Sequence, residues 1–207
     1  MTNINSLTTL QEQFALDSIQ TLDIKRLLNR LTSWNKEINL VGKSTLIDPL
    51  RSHILDSIQV SKFIKNKDSR IVDIGTGAGF PGIVLSIQKF SNVSLVDSNI
   101  KKINFLEHIK KELGLSIKII YSRIEDIHNK KFDYIVSRAL ANLNKLFFYS
   151  LKLSHKKTNL IFLKGQKLYS EIYEAEKFWK FNFTVQNSVS DKRGRVLLVK
   201  NLKKINA

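Results

Sequence analysis

The stretch Ile71–Gly82, "IVDIGTGAGFPG", is a short apolar run that passes into a glycine-rich segment. Its first four residues have the β-branched, apolar character of a buried strand, interrupted only by Asp73. Four glycines then follow within eight residues. Glycines at the end of a strand let the backbone turn sharply and approach a ligand closely. The stretch therefore predicts a strand whose carboxyl end carries a ligand-binding loop.

The spacing of the glycines narrows the kind of ligand. A dinucleotide-binding loop has the pattern G-x-G-x-x-G, and here Gly75 and Gly77 match it but Phe80 occupies the third glycine position. The pattern that is present, Asp73-x-Gly75-x-Gly77-x-Gly79, resembles the first motif of class I S-adenosylmethionine-dependent methyltransferases. That cofactor has no pyrophosphate but carries a sulfonium and an ammonium, both of which nearby carboxylates suit.

The rest of the chain places this loop in an α/β fold. Short β-rich runs are predicted at 71–74, 93–96, 117–121, 134–137 and 160–163, with helices near 82–89, 99–113, 142–153 and 166–179. This alternation favours a parallel sheet covered on both faces. Two further runs, "FNFTVQ" and "RVLLVK", predict an antiparallel hairpin at the sheet edge.

The N-terminal part has a different pattern. Ile24, Leu27, Leu28, Leu31 and Trp34 recur at helical spacing, and a second helix is expected around residues 54–63. We therefore predict a helical region over residues 1–66 and a Rossmann-like methyltransferase domain over residues 67–207. The expected fold is α/β, a mostly parallel seven-stranded sheet with an antiparallel C-terminal hairpin.

Two more segments are candidate cofactor contacts. Asp97 ends the second strand, where a carboxylate can accept hydrogen bonds from both ribose hydroxyls. The alternative is that Asp97 caps the helix that starts near Asn99. After the third strand, Ile124 could pack on an adenine ring, and Glu125 or the adjacent backbone N–H could meet its polar edge, although Glu125 could equally be an exposed acid.

Composition bounds the partners and the chemistry. The formal net charge is +16, and residues 151–207 hold 13 Lys or Arg against 4 Asp or Glu, so the expected partner is a polyanion such as RNA. Compositional drift is the alternative, since Lys outnumbers Arg 26 to 8. The chain has no cysteine, which excludes a cysteine nucleophile and cysteine-ligated zinc. We expect a cytoplasmic protein without a membrane segment or metal.

The fourth strand ends in "DYIVSRALANL", where this fold faces the acceptor. Enzymes that methylate exocyclic amines often carry paired prolines here, and this chain has only Pro49 and Pro81. Covalent methylation of cytosine C5 needs the absent cysteine. Methylation of guanine N7 remains compatible with this sequence. The N7 atom has a free lone pair and carries no proton, so the reaction needs no general base. No catalytic acid or base is predicted, and the four scattered histidines are interpreted as structural or surface residues, with His53 the least certain.

The segments "WNKEINL" (34–40), "HILDSI" (53–58), "DIGTGAGFPG" (73–82), "LVDSNIKKINFL" (95–106), "SRAL" (137–140) and "LKGQ" (163–166) occur in this order. Together they resemble the RsmG/GidB family of bacterial methyltransferases, over residues 20–200. The resemblance implies transfer of a methyl group from S-adenosylmethionine to guanine N7 in 16S ribosomal RNA. The sequence leaves open whether the substrate is naked RNA, the small ribosomal subunit or an assembly intermediate. It also implies cofactor contacts, which fall on Gly75, Phe80, Ile124, Glu125 and Arg138.

Several assignments stay open at this point. Asp73, Gly77 and Asp97 complete the expected cofactor set, and Lys164, Arg193 and Arg195 are the candidate RNA contacts. Arg138 could pair with Asp73 or Glu125, hydrogen-bond guanine O6, or bind an RNA phosphate. A ribose-hydroxyl methyltransferase with Lys164 as base, and a non-catalytic ribosome-assembly protein, are the alternative functions. A monomer is favoured.

Overall fold

The computed structural model describes residues 6–205. The helices are α1 Leu7–Phe14, α2 Ser18–Trp34, α3 Asp56–Ile58, α4 Gly82–Ile87, α5 Ile100–Leu113, α6 Leu143–Leu153 and α7 Leu168–Glu176. The strands are β1 Ile71–Ile74, β2 Val93–Asp97, β3 Lys118–Tyr121, β4 Phe132–Arg138, β5 Ser154–Lys164, β6 Trp179–Asn187 and β7 Arg195–Lys204. Short 3-10 turns lie at Lys43–Leu46, Gln59–Phe63 and Ile124–Asp126, and a π-helical turn at Leu50–Leu55 leads into α3.

All seven strands form one sheet in the order β3-β2-β1-β4-β5-β7-β6. Strands β1 to β5 are parallel to one another, and β7 is antiparallel to both β5 and β6. The predicted mixed sheet and its C-terminal hairpin are confirmed. The strand order reverses between β1 and β4, and in open α/β sheets the crevice at such a point binds the ligand.

Some boundaries differ from the prediction. Helix α4 ends at Ile87 rather than near residue 89, because Lys89 has a left-handed φ of 68° that a right-handed helix cannot continue through. Strand β5 runs from Ser154, several residues before the predicted start at 160. The extra length begins at the amino end of the strand, so the carboxyl end at Lys164 stays one residue from its predicted position.

The helical N-terminal region covers one face of the sheet. Leu27 and Leu31 of α2 are fully buried and share one apolar cluster with Ile83 of α4. The Asp17–Gln20 capping box starts α2, and the Gln20 side-chain amide also donates a buried hydrogen bond of 2.9 Å to the Ile87 carbonyl. The predicted helical region therefore shares a core with the sheet, while a domain division at 66/67 stays a prediction.

The opposite face of the sheet is covered by α6 and α7. Phe147 of α6 and Phe162 of β5 are among the largest fully buried side chains, and they belong to a second apolar cluster. Coverage by helices on both faces explains why the central strands β1 and β4 are buried almost throughout. Within residues 6–205, no helix has the length and apolar character needed to cross a membrane.

Candidate functional site

A cavity of about 1310 Å³ opens at the carboxyl ends of β1, β4 and β5. Its walls come from residues 40–42, 45, 51–53, 56, 75–78, 80, 102, 138–139, 163–167, 171 and 190–194. The N-terminal region, the glycine loop and the turn between β6 and β7 therefore meet around one space. This is the crevice that the reversal of strand order predicts.

The backbone of the glycine loop has a conformation that residues with side chains rarely adopt. Gly75, Gly77 and Gly79 have φ values of 64°, 61° and 89°. A Cβ atom at Gly75 would also collide with the side chain of Leu140, which packs against the loop. Glycine at position 75 is thus required by the fold of the loop itself, and its contact with a cofactor stays a prediction.

Asp73 holds this loop from beneath. One of its carboxylate oxygens, Oδ2, accepts hydrogen bonds from the Thr76 hydroxyl at 2.7 Å and from the Gly82 backbone N–H at 2.8 Å. The Asp73 side chain is fully buried, and Oδ1 has no hydrogen-bond partner among residues 6–205. Burial raises the pKa of Asp73 to about 7, against the lowering effect of these two hydrogen bonds. A direct contact between Asp73 and the cofactor stays a prediction.

Asp97, the last residue of β2, is hydrogen-bonded to the glycine loop at Gly77. Its Oδ2 accepts a hydrogen bond of 2.9 Å from the Gly77 N–H, and its Oδ1 accepts one of 2.9 Å from the Asn99 N–H. The residue that caps α5 is Asn99, so Asp97 is not needed as a helix cap. A carboxylate offers about four acceptor positions, which leaves Asp97 free sites for ribose hydroxyls.

Ile124 and Glu125 lie in the 3-10 turn that follows β3 and are outside the lining of the cavity. Because β3 pairs in parallel with β2, this turn is on the same sheet edge as Asp97. Ile124 is 8% exposed. The backbone N–H of Glu125 donates a hydrogen bond to the carboxyl group of the same residue and lowers the pKa of that carboxyl. Their predicted place beside an adenine fits this edge, and their contact with it stays a prediction.

Arg138 reaches into the N-terminal region. Its guanidinium donates to the Ser52 carbonyl at 2.7 Å and to Nδ1 of His53 at 2.8 Å, and it is 3.4 Å from a carboxylate oxygen of Asp56. Burial lowers the pKa of Arg138, and Asp56 opposes that shift. The acid partner that the sequence left open is therefore Asp56, and pairing with Asp73 or Glu125 is not observed.

Phe80 and His53 complete this wall of the cavity. The Phe80 ring is stacked on the His53 ring at 5.0 Å, and the Arg138 guanidinium lies 5.2 Å from the Phe80 centroid. Phe80 is 2% exposed. A phenyl ring at this position thus holds a histidine and an arginine at the edge of the glycine loop, which is a role that glycine could not fill.

His53 is a neutral hydrogen-bond relay. Burial, followed by the charge of Arg138, lowers the pKa of His53 to about 3. Because a guanidinium only donates, Nδ1 must accept from Arg138, and the proton must be on Nε2. That nitrogen therefore donates to the Thr45 hydroxyl at 2.9 Å. His53 is buried and hydrogen-bonded through both ring nitrogens, as expected of a structural residue, and it also lines the cavity.

The side chains of the three candidate RNA contacts differ in their exposure and in the contacts that they already make. Lys164 is 2.7 Å from a carboxylate oxygen of Glu171, donates to the Ala141 carbonyl at 3.0 Å, and has a side chain that is only 10% exposed. Arg193 is 70% exposed beside Asp191, and Arg195 donates to two carbonyls of its own turn. Lys164 and Arg193 line the cavity, whereas Arg195 is immediately beyond its lining.

Sequence reasoning missed Asp56 as a functional residue. Asp56 belongs to the quoted motif "HILDSI" but follows no strand, so the rule that sites lie at strand ends could not select it. Only the fold brings α3 to the end of β4. Within the described range, no cluster of side chains could hold a metal ion.

The chain has close relatives in sequence. The family model described as "GidB: rRNA small subunit methyltransferase G" matches residues 20–199. A protein of Rickettsia typhi named "Ribosomal RNA small subunit methyltransferase G" is 42% identical over 187 residues, covering 90% of this chain and 96% of the relative. The protein of the same name from Rickettsia prowazekii is 40% identical, covering 86% and 92% of the two chains.

Solved structures share the fold. A SAM-dependent methyltransferase from Aquifex aeolicus superposes with a TM-score of 0.59 at 18% identity, covering 75% of this chain and 95% of its own. The ribosomal protein L11 methylase of Lactobacillus delbrueckii subsp. bulgaricus gives 0.57 at 19% identity, covering 70% and 76%. At these identities the likeness shows the class I methyltransferase fold alone.

Asp73 should make the stability of the free protein depend on pH. Because burial raises its pKa from 3.8 to about 7, the folded state binds the proton more tightly than the unfolded state does. The contribution of Asp73 to stability is therefore largest below pH 4, falls as pH rises towards 7, and levels off above it. Asp73→Asn keeps an oxygen for Thr76 and Gly82 but cannot ionise. Urea unfolding from pH 5 to 8 should show the wild type losing up to about 1.4 kcal/mol per pH unit relative to this variant. Parallel curves would contradict the assignment.

Proposed function

This chain belongs to the rRNA small subunit methyltransferase G family, and from that membership we propose that it methylates N7 of one guanine in 16S ribosomal RNA. The methyl donor is S-adenosylmethionine. When bound, the donor supplies an electrophilic methyl group on a sulfonium. The work of the protein is to hold the donor and the guanine in line and to keep water from the reacting atoms.

The cofactor is proposed to lie along the carboxyl ends of β1, β2 and β3. Gly75 and Gly77 bring the backbone close to it, Asp97 accepts from the ribose, and Ile124 with Glu125 borders the adenine. Three facts support this placement: the positive φ values of the loop, the free acceptor positions of Asp97, and the common sheet edge of these strands. Phe80 and Arg138 then mark the boundary between cofactor and acceptor.

The observation that carries the choice of acceptor atom is that the carboxylates lining the cavity are already engaged. Its three lining carboxylates are all ion-paired: Asp56 with Arg138, Glu171 with Lys164, and Asp191 with Arg193. Guanine N7 carries no proton, so its methylation needs alignment and no base. Orientation of this kind can supply roughly 7–11 kcal/mol of the barrier.

The same contacts disfavour a ribose-hydroxyl methyltransferase. That reaction must remove a proton, and Lys164 was the candidate base. A base must direct a free acceptor atom at the hydroxyl, whereas the Lys164 amino group lies 2.7 Å from the Glu171 carboxylate and donates to the Ala141 carbonyl at 3.0 Å. Both ring nitrogens of His53 are also engaged, one by Arg138 and the other by Thr45.

The RNA is proposed to approach over the turn between β6 and β7. Arg193 and Arg195 lie on or next to this turn, and the chain as a whole has a net charge of +16. Lys164 borders the same cavity, where an RNA phosphate would have to compete with Glu171. We further propose that the substrate is the small ribosomal subunit or an assembly intermediate, and that the protein acts as a monomer in the cytoplasm.

Substitution of Gly75 tests the cofactor site. Gly75→Ala places a Cβ atom against Leu140 at a φ of 64°, which should displace the loop and raise the dissociation constant of S-adenosylmethionine at least about tenfold. Gly114→Ala is the matched control, because Gly114 has a φ of 62° but lies at the end of α5, away from the cavity. Calorimetry should show normal cofactor binding by the control. If the wild type binds no cofactor, a non-catalytic assembly protein becomes the better description.

The position of the methyl group tests the acceptor atom. Small ribosomal subunits that lack the modification are incubated with the protein and labelled cofactor, and the RNA is then treated with borohydride and aniline. Methylation at N7 makes the guanine ring cationic and labile, so the chain should break at one guanine. Incorporated label without cleavage would place the methyl elsewhere and favour the ribose hydroxyl.

The basic turn, residues 188–194 between β6 and β7, should contribute to RNA affinity together with Arg195 by contacting RNA phosphates. Arg193→Gln with Arg195→Gln should weaken binding and reduce the salt dependence by about 1 unit of log–log slope for each lost phosphate contact. Lys156→Gln with Lys157→Gln removes the same charge near the amino end of β5, whereas the cavity opens at the carboxyl end of that strand. Filter binding across a salt series should leave this control pair close to the wild type. Equal effects of both pairs would indicate that only net charge matters.

A further inference from the structure

Asp56 divides its two carboxylate oxygens between two parts of the site. Oδ2 lies 3.4 Å from the Arg138 guanidinium. Oδ1 accepts a hydrogen bond of 2.7 Å from the Ser190 hydroxyl and one of 3.1 Å from the Gln59 amide. The side chain is 20% exposed, at the start of α3 and in the wall of the cavity. One acid thus joins the end of β4 to the turn that follows β6.

The Arg138 side of this bridge is beside the glycine loop. Strand β4 pairs with β1, and the Ser137 hydroxyl donates to the Ile74 carbonyl at 2.9 Å, so Arg138 follows the residue that is bonded to the start of the loop. The other groups that Arg138 contacts, the Ser52 carbonyl and the His53 ring, are neutral. In residues 6–205, Asp56 is the carboxylate within 4 Å of this guanidinium.

The other side of the bridge restrains a surface turn. Ser188 and Ser190 are 3% and 6% exposed, although the following residues of the turn, 191–193, are exposed. Their burial comes from the N-terminal region: Gln59 donates to the Ser188 hydroxyl at 2.9 Å and accepts from the Val189 N–H at 3.1 Å. Arg51 donates to the Ser190 carbonyl at 2.6 Å. Surface turns are usually mobile, so this attachment fixes the position of the basic turn over the cavity.

We propose that Asp56 is a positioning residue with two separable effects: Oδ2 neutralises Arg138 beside the cofactor, and Oδ1 holds the basic turn in place for RNA. The proposal rests on the proposed function. An unpaired guanidinium at the loop would repel a cationic sulfonium, whereas the demethylated product, S-adenosylhomocysteine, has an uncharged thioether there. The pair should therefore set the preference between donor and product.

The first measurement is the ratio of the two dissociation constants, donor over product, by calorimetry without RNA. Asp56→Asn keeps an amide oxygen for Ser190 but loses the charge, so the ratio should rise about tenfold, mainly through weaker donor binding. Arg138→Gln leaves Asp56 unpaired and should lower the ratio below that of the wild type. The double variant should return the ratio to near the wild-type value.

The second measurement separates the turn from the charge. Ser190→Ala removes the hydroxyl from Oδ1 and leaves the Arg138 pair, so the donor-to-product ratio should stay within about twofold of the wild type. Hydrogen exchange of the amides of residues 188–194 should accelerate, and the KM for ribosomal subunits should rise several-fold while kcat changes less. Asp56→Asn should leave hydrogen exchange in the turn close to that of the wild type.

A purely structural Asp56 would weaken donor and product equally in Asp56→Asn, and that result would overturn the proposal. A shift of the ratio in Ser190→Ala, or no acceleration of exchange in its turn, would also overturn it. If Asp56→Asn does not fold, the direction of the ratio in Arg138→Gln decides. Failure of the wild type to bind either molecule would instead refute the proposed function, so the two failures are distinct.

Discussion

The hydrogen bond from Gly82 N–H to the Asp73 carboxylate closes the loop on which the rest of the site depends. Asp73 lies in the central strand, and Gly82 begins the helix that follows, so one oxygen joins the two ends of the glycine loop. The approach leaves no room for a side chain at Gly82, whose Cβ would meet Asp73 and Leu95. The cost is a fully buried carboxyl with a raised pKa. The loop is therefore rigid before any ligand arrives, as an alignment mechanism requires.

The electrostatics of the cavity follow from the need to place a cationic reaction in a strongly basic protein. The donor carries a sulfonium, and methylation leaves a positive charge on the guanine. Each lining acid is paired with a lysine or arginine, so Arg138 and Lys164 at the carboxyl ends of β4 and β5 each face a carboxylate. Lys102, Lys167 and Lys192 of the same lining have no carboxylate within 4 Å among residues 6–205, so the cavity as a whole stays basic, as binding of a polyanion requires.

The residues differ in how far the sequence could predict them. Gly75, Gly77 and Asp97 follow strands and belong to a motif of fixed spacing, so local pattern was sufficient to select them. For Arg138 the sequence predicted a position at the end of a strand but not its acid partner, because Asp56 is 82 residues away in the chain. The place of His53 in the cavity wall could not be predicted for the same reason, since its neighbours Phe80 and Arg138 come from other segments. Lys164 was predicted as an RNA contact, and it lines the cavity, but the sequence did not indicate its pairing with Glu171; the RNA contact stays a prediction.

The sequence by itself determined the alternation of strands and helices, the glycine loop with its following acid, and the exclusion of cysteine chemistry, because each depends on residues close together in the chain or on composition. The tertiary structure decided how charges are paired, which oxygen of Asp56 bonds to which element, and which protonation state His53 adopts. Those properties depend on burial and on contacts between segments far apart in sequence. A hydrogen bond is formed over about 3 Å, and local sequence patterns carry no information about which distant side chains the fold brings to that distance.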